Sequence, residues 1–183
     1  MNIIIISNDR YFSCGFIDIM QDSGYQCKYS DFSNLTSRGL RNLSANYDLV
    51  ALDISYVQNI NEFLAASYGI KNIFLLIDIS TNFIKEGAQF ISKRESTNNI
   101  LRKAQQYLYL KRERIKYNEF KVLKYHAEGL NISTIALKLK INDKSVYRLR
   151  NSLVLKLGFR RYHPLTAICC EKLSSFLWSD TKA

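Results

Sequence analysis

One proline and seven glycines are all that the 183-residue chain contains, too few for a flexible linker rich in either. Long apolar runs are missing as well. The longest N-terminal run, Ile3-Ile4-Ile5-Ile6, is followed at once by Asn8, Asp9 and Arg10. It is too short for a signal-peptide core or a membrane span, so a soluble, cytoplasmic protein with no membrane contact is expected. The four cysteines, Cys14, Cys27, Cys169 and Cys170, show no Cys-x-x-Cys spacing and no histidine at zinc-ligand intervals. They read as buried free thiols, and neither a metal nor a cofactor is expected. Apolar residues make up 47% of the chain, enough for packed cores rather than disorder.

Charge of one sign is scarce in one half. The net charge is +10. Residues 101–183 carry 18 Lys/Arg against 6 Asp/Glu, and residues 1–100 carry 8 against 10. All of the excess positive charge therefore lies in the second half, where a phosphate backbone would need it.

That half reads as helices. The first runs from about Asn118 to Ala127, with Val122, Leu123 and Ala127 inward, Phe120 beside them, and Gly129 as a left-handed C-terminal cap. The second is capped by Asn131 and has Ile135, Ala136 and Leu139 inward. Lys140, Ile141 and Asn142 make a turn, and Asn142 caps a third helix. There Val146, Leu149, Leu153 and Leu157 recur at spacings of three and four, marking a buried face. Lys144, Tyr147, Arg148 and Asn151 fall on the opposite face, which has no carboxylate. Arg or Lys can donate to guanine edges, Asn can pair with adenine, and Tyr can pack on bases or phosphates. Ser145 lies in the first turn. Arg150, Lys156, Arg160 and Arg161 carry positive charge to either side. A tail helix is expected after Pro164, with Leu165, Ile168, Cys169, Leu173, Phe176 and Leu177 as its stripe and Trp178 near its end.

The segment resembles the DNA-binding domain of LuxR/FixJ/NarL-type bacterial transcription regulators. The shared pattern runs from Glu119 and Val122-Leu123 through Ala127, Gly129-Leu130, Ile135-Ala136, Leu139, Ile141 and Val146 to Lys156-Leu157-Gly158, without an insertion. The resemblance implies an all-α helix-turn-helix domain over 117–183, with the motif at about 132–151. It also implies DNA contacts from Lys144, Ser145, Tyr147, Arg148, Arg150 and Asn151. It further implies a dimer contact through the tail helix; the alternative is a tail helix packed on its own domain. The chain departs from the family at Lys116-Tyr117, Asn118, Tyr147 and Leu149, which alters the reading surface.

The first half alternates apolar runs with amphipathic ones. Strands are expected at Ile3–Ser7, Gln26–Ser30, Tyr47–Ile54, Lys71–Ile79 and Gln89–Ser92. Helices are expected around Phe16, Ile17, Ile19 and Met20, and after Ser96 with Ile100, Leu101, Ala104 and Leu108. This order implies an α/β parallel sheet with helices on both faces and chemistry at the strand C-terminal ends. There stand Asn8, Asp9, Asp53, Asp78, Ser80 and Lys93.

The arrangement resembles the flavodoxin-like receiver domain of two-component response regulators. YDLVALDI, ending beyond Asp53, is similar to its third strand, and FISK, ending at Lys93, to its fifth. The resemblance makes Asp53 the phosphoacceptor and Asp9 and Lys93 its partners. The metal-binding acid pair is reduced to Asn8 and Asp9, or to Ser7 and Asn8 in the register set by Gly15-Phe16. Asp78 occupies the hydroxyl position unless Ser80 substitutes. The interval from Asp53 to Lys93 is short enough that the fourth helix is expected to be lost or shortened. The reading is a degenerate receiver-like domain over 1–110, a charged tether at 111–116 and a DNA-binding domain that takes double-stranded promoter DNA. Phosphorylation is not expected to control it, and no enzyme activity is expected. Two alternatives remain open: a phosphorylation-dependent regulator using Asp53, and a co-regulator that forms a heterodimer with a related protein rather than a homodimer.

Overall fold

The computed structural model describes residues 1–33, 35–55, 72–85, 88, 90–107, 115–164, 166, 167, 169, 170 and 173. The expectations placed on Lys71, Gln89, Leu108, 111–114, Leu165, Ile168, Phe176, Leu177 and Trp178 lie outside the described residues. The chain divides into two compact units. One comprises Met1–Thr81 and Gln89–Lys111, the other Asn82–Ala88 and Arg112–Ala183.

The first unit is built on five parallel strands, β1 (Asn2–Ile6), β2 (Gln26–Ser30), β3 (Leu49–Asp53), β4 (Ile73–Ile77) and β5 (Phe90–Ser92), in the order β2-β1-β3-β4-β5. Every residue of β3 and β4 is buried. A strand covered on both faces needs such an unbroken apolar run, and here only Asp53 interrupts it. Ile3 sits between Cys27 and Leu49, and Leu75 between Leu52 and Phe90. Helix α1 (Arg10–Asp22) begins where the Asp9 carboxylate accepts the Phe12 amide hydrogen. Its Phe16 and Met20 pack with Ile3, Ile5, Phe74 and Leu76 and with Ile100 and Ala104 of α3 (Thr97–Tyr107). Each such side chain contributes about 1.5–3 kcal/mol on burial. Helix α2 (Ser37–Asn46), capped by Thr36 and packed against β3 through the buried Leu40, was not among the expected elements. Its Gly39 and serines disguise the period. Between β4 and β5 the described residues hold only a 3-10 turn at Thr81–Phe83.

The second unit contains α4 (Tyr117–Ala127), α5 (Ile132–Leu139) and α6 (Asp143–Lys156). Asn131 and Asn142 cap α5 and α6, accepting from the Thr134 and Ser145 amides at 2.9 and 2.8 Å. Helices α4, α5 and α6 close in the same way. After each, one residue takes a left-handed conformation: Gly129 (φ 81°), Lys140 (φ 55°) and Gly158 (φ 95°). The next amide then reaches back to a carbonyl five residues earlier, from Leu130 to Tyr125, Ile141 to Ala136 and Phe159 to Val154. Val122, Ile135, Ala136 and Val146 form the core. Ala127, expected inward, is exposed. The turn at Gly129 directs Leu130 against the core instead. The segment around Ile84 belongs to this unit and forms an antiparallel bridge with Phe159.

Candidate carboxylate site and nucleic-acid interface

In the first unit, β1, β3 and β5 all end at one edge of the sheet, and the residues just there converge. Asp53, the last residue of β3, is buried. Its Oδ2 accepts from Ser7 Oγ at 2.6 Å and from Lys93 Nζ at 2.9 Å, and its Oδ1 accepts from the Ser55 amide at 3.0 Å. Lys93 also donates to Asp9 Oδ2 at 2.6 Å and stands 4.8 Å from the Phe12 ring centroid. The Lys93 hydrogen bond, joined by the Phe12 amide, holds the Asp9 carboxyl below the usual aspartate range. Burial works against the Lys93 charge, but hydrogen bonds to Asp9 and Asp53 outweigh it and raise its pKa above that of an ordinary lysine.

Asp9, Asp53 and Lys93 are thus brought together, and Asn8 and Asp78 are not. Asn8 is exposed and its Oδ1 lies 3.4 Å from the Phe32 amide. Asp78 accepts from Arg94 Nε at 2.7 Å, and Ser80 is half-buried just before the turn at Thr81–Phe83. The pair expected as Asn8 and Asp9, or Ser7 and Asn8, is in fact Ser7 and Asp9, because the Asp9 amide donates to Ser7 Oγ and both side chains turn inward. A receiver fold implies Mg²⁺ at this edge. The donor set does not fit it well: a serine replaces one acid, and one ammonium already engages both carboxylates.

In the second unit, α6 carries the candidate interface. Val146, Leu153 and Val154 are buried, while Lys144, Tyr147, Arg148 and Asn151 are exposed. Ser145 is half-buried, its amide spent on the Asn142 cap. The C-terminal end of the helix is anchored by a buried charge. Glu119 on α4 accepts from Lys156 Nζ at 2.7 and 2.9 Å, from Ser152 Oγ at 3.2 Å and from the Lys116 amide at 2.9 Å. Burial would raise the Glu119 pKa, yet Lys156 and the amide hold it below the ordinary value. Arg150 is half-buried, its guanidinium 4.9 Å from the Tyr147 ring and 4.1 Å from the Tyr162 ring. His126 packs beside Tyr162, where burial and then the Arg150 charge keep its imidazole less basic than usual.

No family model matches the sequence, and no curated protein matches it. Solved structures do. RcsB from Salmonella enterica serovar Typhimurium, bound to the promoter P1flhDC in the presence of phosphomimetic BeF3⁻, superposes with a TM-score of 0.54 at 16% identity, covering 96% of this chain and 98% of that one. A complex of the two-component response regulator RcsB with DNA gives 0.50 at 18% identity, with the same coverage. RcsB bound to the rprA promoter gives 0.50 at 17%, covering 97% and 100%. The likeness is to response regulators. At such identities it concerns the fold, which this chain shares across nearly its whole length. No described helix is long and apolar enough to cross a membrane.

Two participants escaped the sequence reading. Ser7 figured only as an alternative metal-site residue, since a serine after a strand carries no chemical signature. Tyr162 lies beyond α6 in a stretch without period, and only its packing on Arg150 gives it a part. The signal that could have found it was the arginine pair just before it.

Proposed function

We propose that the chain is a DNA-binding transcriptional regulator. On this reading residues 117–183 form a LuxR-type helix-turn-helix domain with its motif at about 132–151, and α6 enters the major groove of promoter DNA. The carrying observation is the sidedness of α6. Lys144, Tyr147, Arg148 and Asn151 face outward together with no carboxylate among them, while Val146, Leu153 and the Glu119–Lys156 pair hold the helix from beneath. Arg148 and Asn151 are the base-reading residues, Tyr147 packs against bases or backbone, and Lys144, Ser145 and Arg150 serve the flanking phosphates. Gel-shift titration tests this. Arg148→Ala should cost about 1–3 kcal/mol on a specific site and little on random duplex. Unchanged specific affinity would mean that the reading face is misassigned. The chain acts as a dimer on this reading, with itself or with a related regulator. Light scattering with and without promoter DNA distinguishes a self-sufficient dimer from a monomer that binds no promoter alone.

The receiver-like domain acts without phosphorylation in this reading, because Ser7 stands where a second metal-binding acid would be needed, leaving Asp9 as the only acid beside Asp53 in the pair after β1. One observation favours the alternative of a phosphorylated regulator: Asp53 and Lys93 stand in contact at the sheet edge. Mass spectrometry after acetyl phosphate and Mg²⁺ decides between them. The expected result is no mass gain. A gain that disappears in Asp53→Asn would establish the alternative.

A further inference from the structure

The histidine of α4 has no part in the reading proposed above, yet it is tied to the reading face. His126 is half-buried in the last turn of α4, its ring 5.9 Å from the Tyr162 ring, centroid to centroid. The Arg150 guanidinium rests on the same phenol, 4.1 Å from its centroid, and lies 4.9 Å from the ring of Tyr147, which α6 exposes. A chain of ring contacts thus runs from His126 through Tyr162 and Arg150 to Tyr147. His126 Nε2 and Arg150 Nε are both buried without a hydrogen-bond partner, and no acid pairs with Arg150 among the described residues. The other titratable groups nearby are solvated or engaged. Lys124 on α4 and Glu128 just beyond it are exposed, and Tyr125 lies under Lys138 of α5. After α6, Arg161 is exposed and His163 packs on Phe83.

The neutral imidazole can leave Nε2 as a bare acceptor, which costs little. A proton would make it a charged donor with nothing to accept it, beside a guanidinium in the same condition. The carbonyl end of α4 attracts a cation, but burial and then the Arg150 charge outweigh it and keep the ring less basic than usual. We propose that His126 is a proton-operated support for the reading face. Neutral, it backs the phenol on which Arg150 rests; protonated, it repels Arg150 and loosens Tyr147, so that duplex binding weakens on acidification. The sign is diagnostic. Acid by itself adds positive charge and should tighten binding to phosphates. The folded ring is harder to protonate than the unfolded one, so its support is complete above the ordinary histidine value of about 6.5 and is lost as pH falls through the lower folded value. The effect on the duplex rests on the promoter-reading proposal. The proton-linked hold on Arg150 does not.

The test uses the full chain, which has only two histidines. Their ring protons are followed by NMR from about pH 7.5 to about pH 5, with His163→Gln to assign them. Duplex affinity and the urea midpoint are measured over the same range for wild type, His163→Gln, His126→Phe and His126→Gln, the last kept in case the larger ring disturbs folding. The expected result is that His126 titrates below the ordinary value and that wild-type affinity falls with it, by at most about tenfold per pH unit, the limit for one proton. His163→Gln should keep this fall, and both His126 variants should lose it. If wild type binds no duplex, the promoter reading fails, and the support is judged by the urea midpoint, whose fall on acidification the His126 variants should also lose. A ring that titrates at or above the ordinary value, or stays neutral to about pH 5, would overturn the proposal. So would an acid response that survives in the His126 variants.

Discussion

At the scale of single residues, the second unit depends on one buried acid. Glu119 is 3% exposed and ties α4 to the end of α6 through Lys156 and Ser152 and to its own first turn through the Lys116 amide. Removing its charge leaves Lys156 without its partner in a half-buried position. Glu119→Gln should therefore destabilise the protein by about 1–3 kcal/mol, read as a lower urea midpoint. The pH dependence follows from the sign of its shift. The folded carboxyl is more acidic than the unfolded one, so its contribution is complete above the ordinary glutamate pKa of about 4.3 and is lost as pH falls through the depressed folded value. Urea midpoints followed from neutral pH into that acid range should fall more gently in Glu119→Gln than in wild type. The role of Glu119 was half legible in the sequence: its place in the helical pattern was visible, but not its partners.

At the scale of elements, helices α4, α5 and α6 repeat one closure, and only one of these three closes without glycine. Lys140 holds φ 55° at the end of α5, a region that costs a residue with a Cβ about 1–2 kcal/mol. It is exposed, so its side chain has little packing to lose. Lys140→Gly should raise stability by about 0.5–1 kcal/mol, seen as a higher melting temperature. An unchanged or lower value would mean that the lysine makes a compensating contact. The caps and closures were mostly readable from the chain, because each is a local signal: Asn131, Asn142 and Gly129 act on amides or carbonyls within a few residues. Helix α2 was not readable, since Leu40 and Leu43 alone do not announce a buried face and the β3 contact that stabilises it is distant in the chain.

At the scale of the whole molecule, charge is divided unevenly. The +10 of the chain is carried entirely by its second half. On the proposed reading, duplex affinity should accordingly fall steeply with salt. Lys144→Ala, at the exposed first turn of α6, should weaken binding to specific and random duplex alike and flatten the salt slope by about one unit. A loss confined to the specific site would instead make Lys144 a base-reading residue. What the amino-acid order determined unaided was whatever neighbours decide: apolar runs that become interior parallel strands, side chains that cap a turn three residues on, and a helix face free of acid. Packing alone decided the rest. Ser7 meets Asp53 across 46 positions, and Glu119 meets Lys156 across 37. Such pairs form because strands and helices place their ends together, and no local pattern in the chain records which ends will meet.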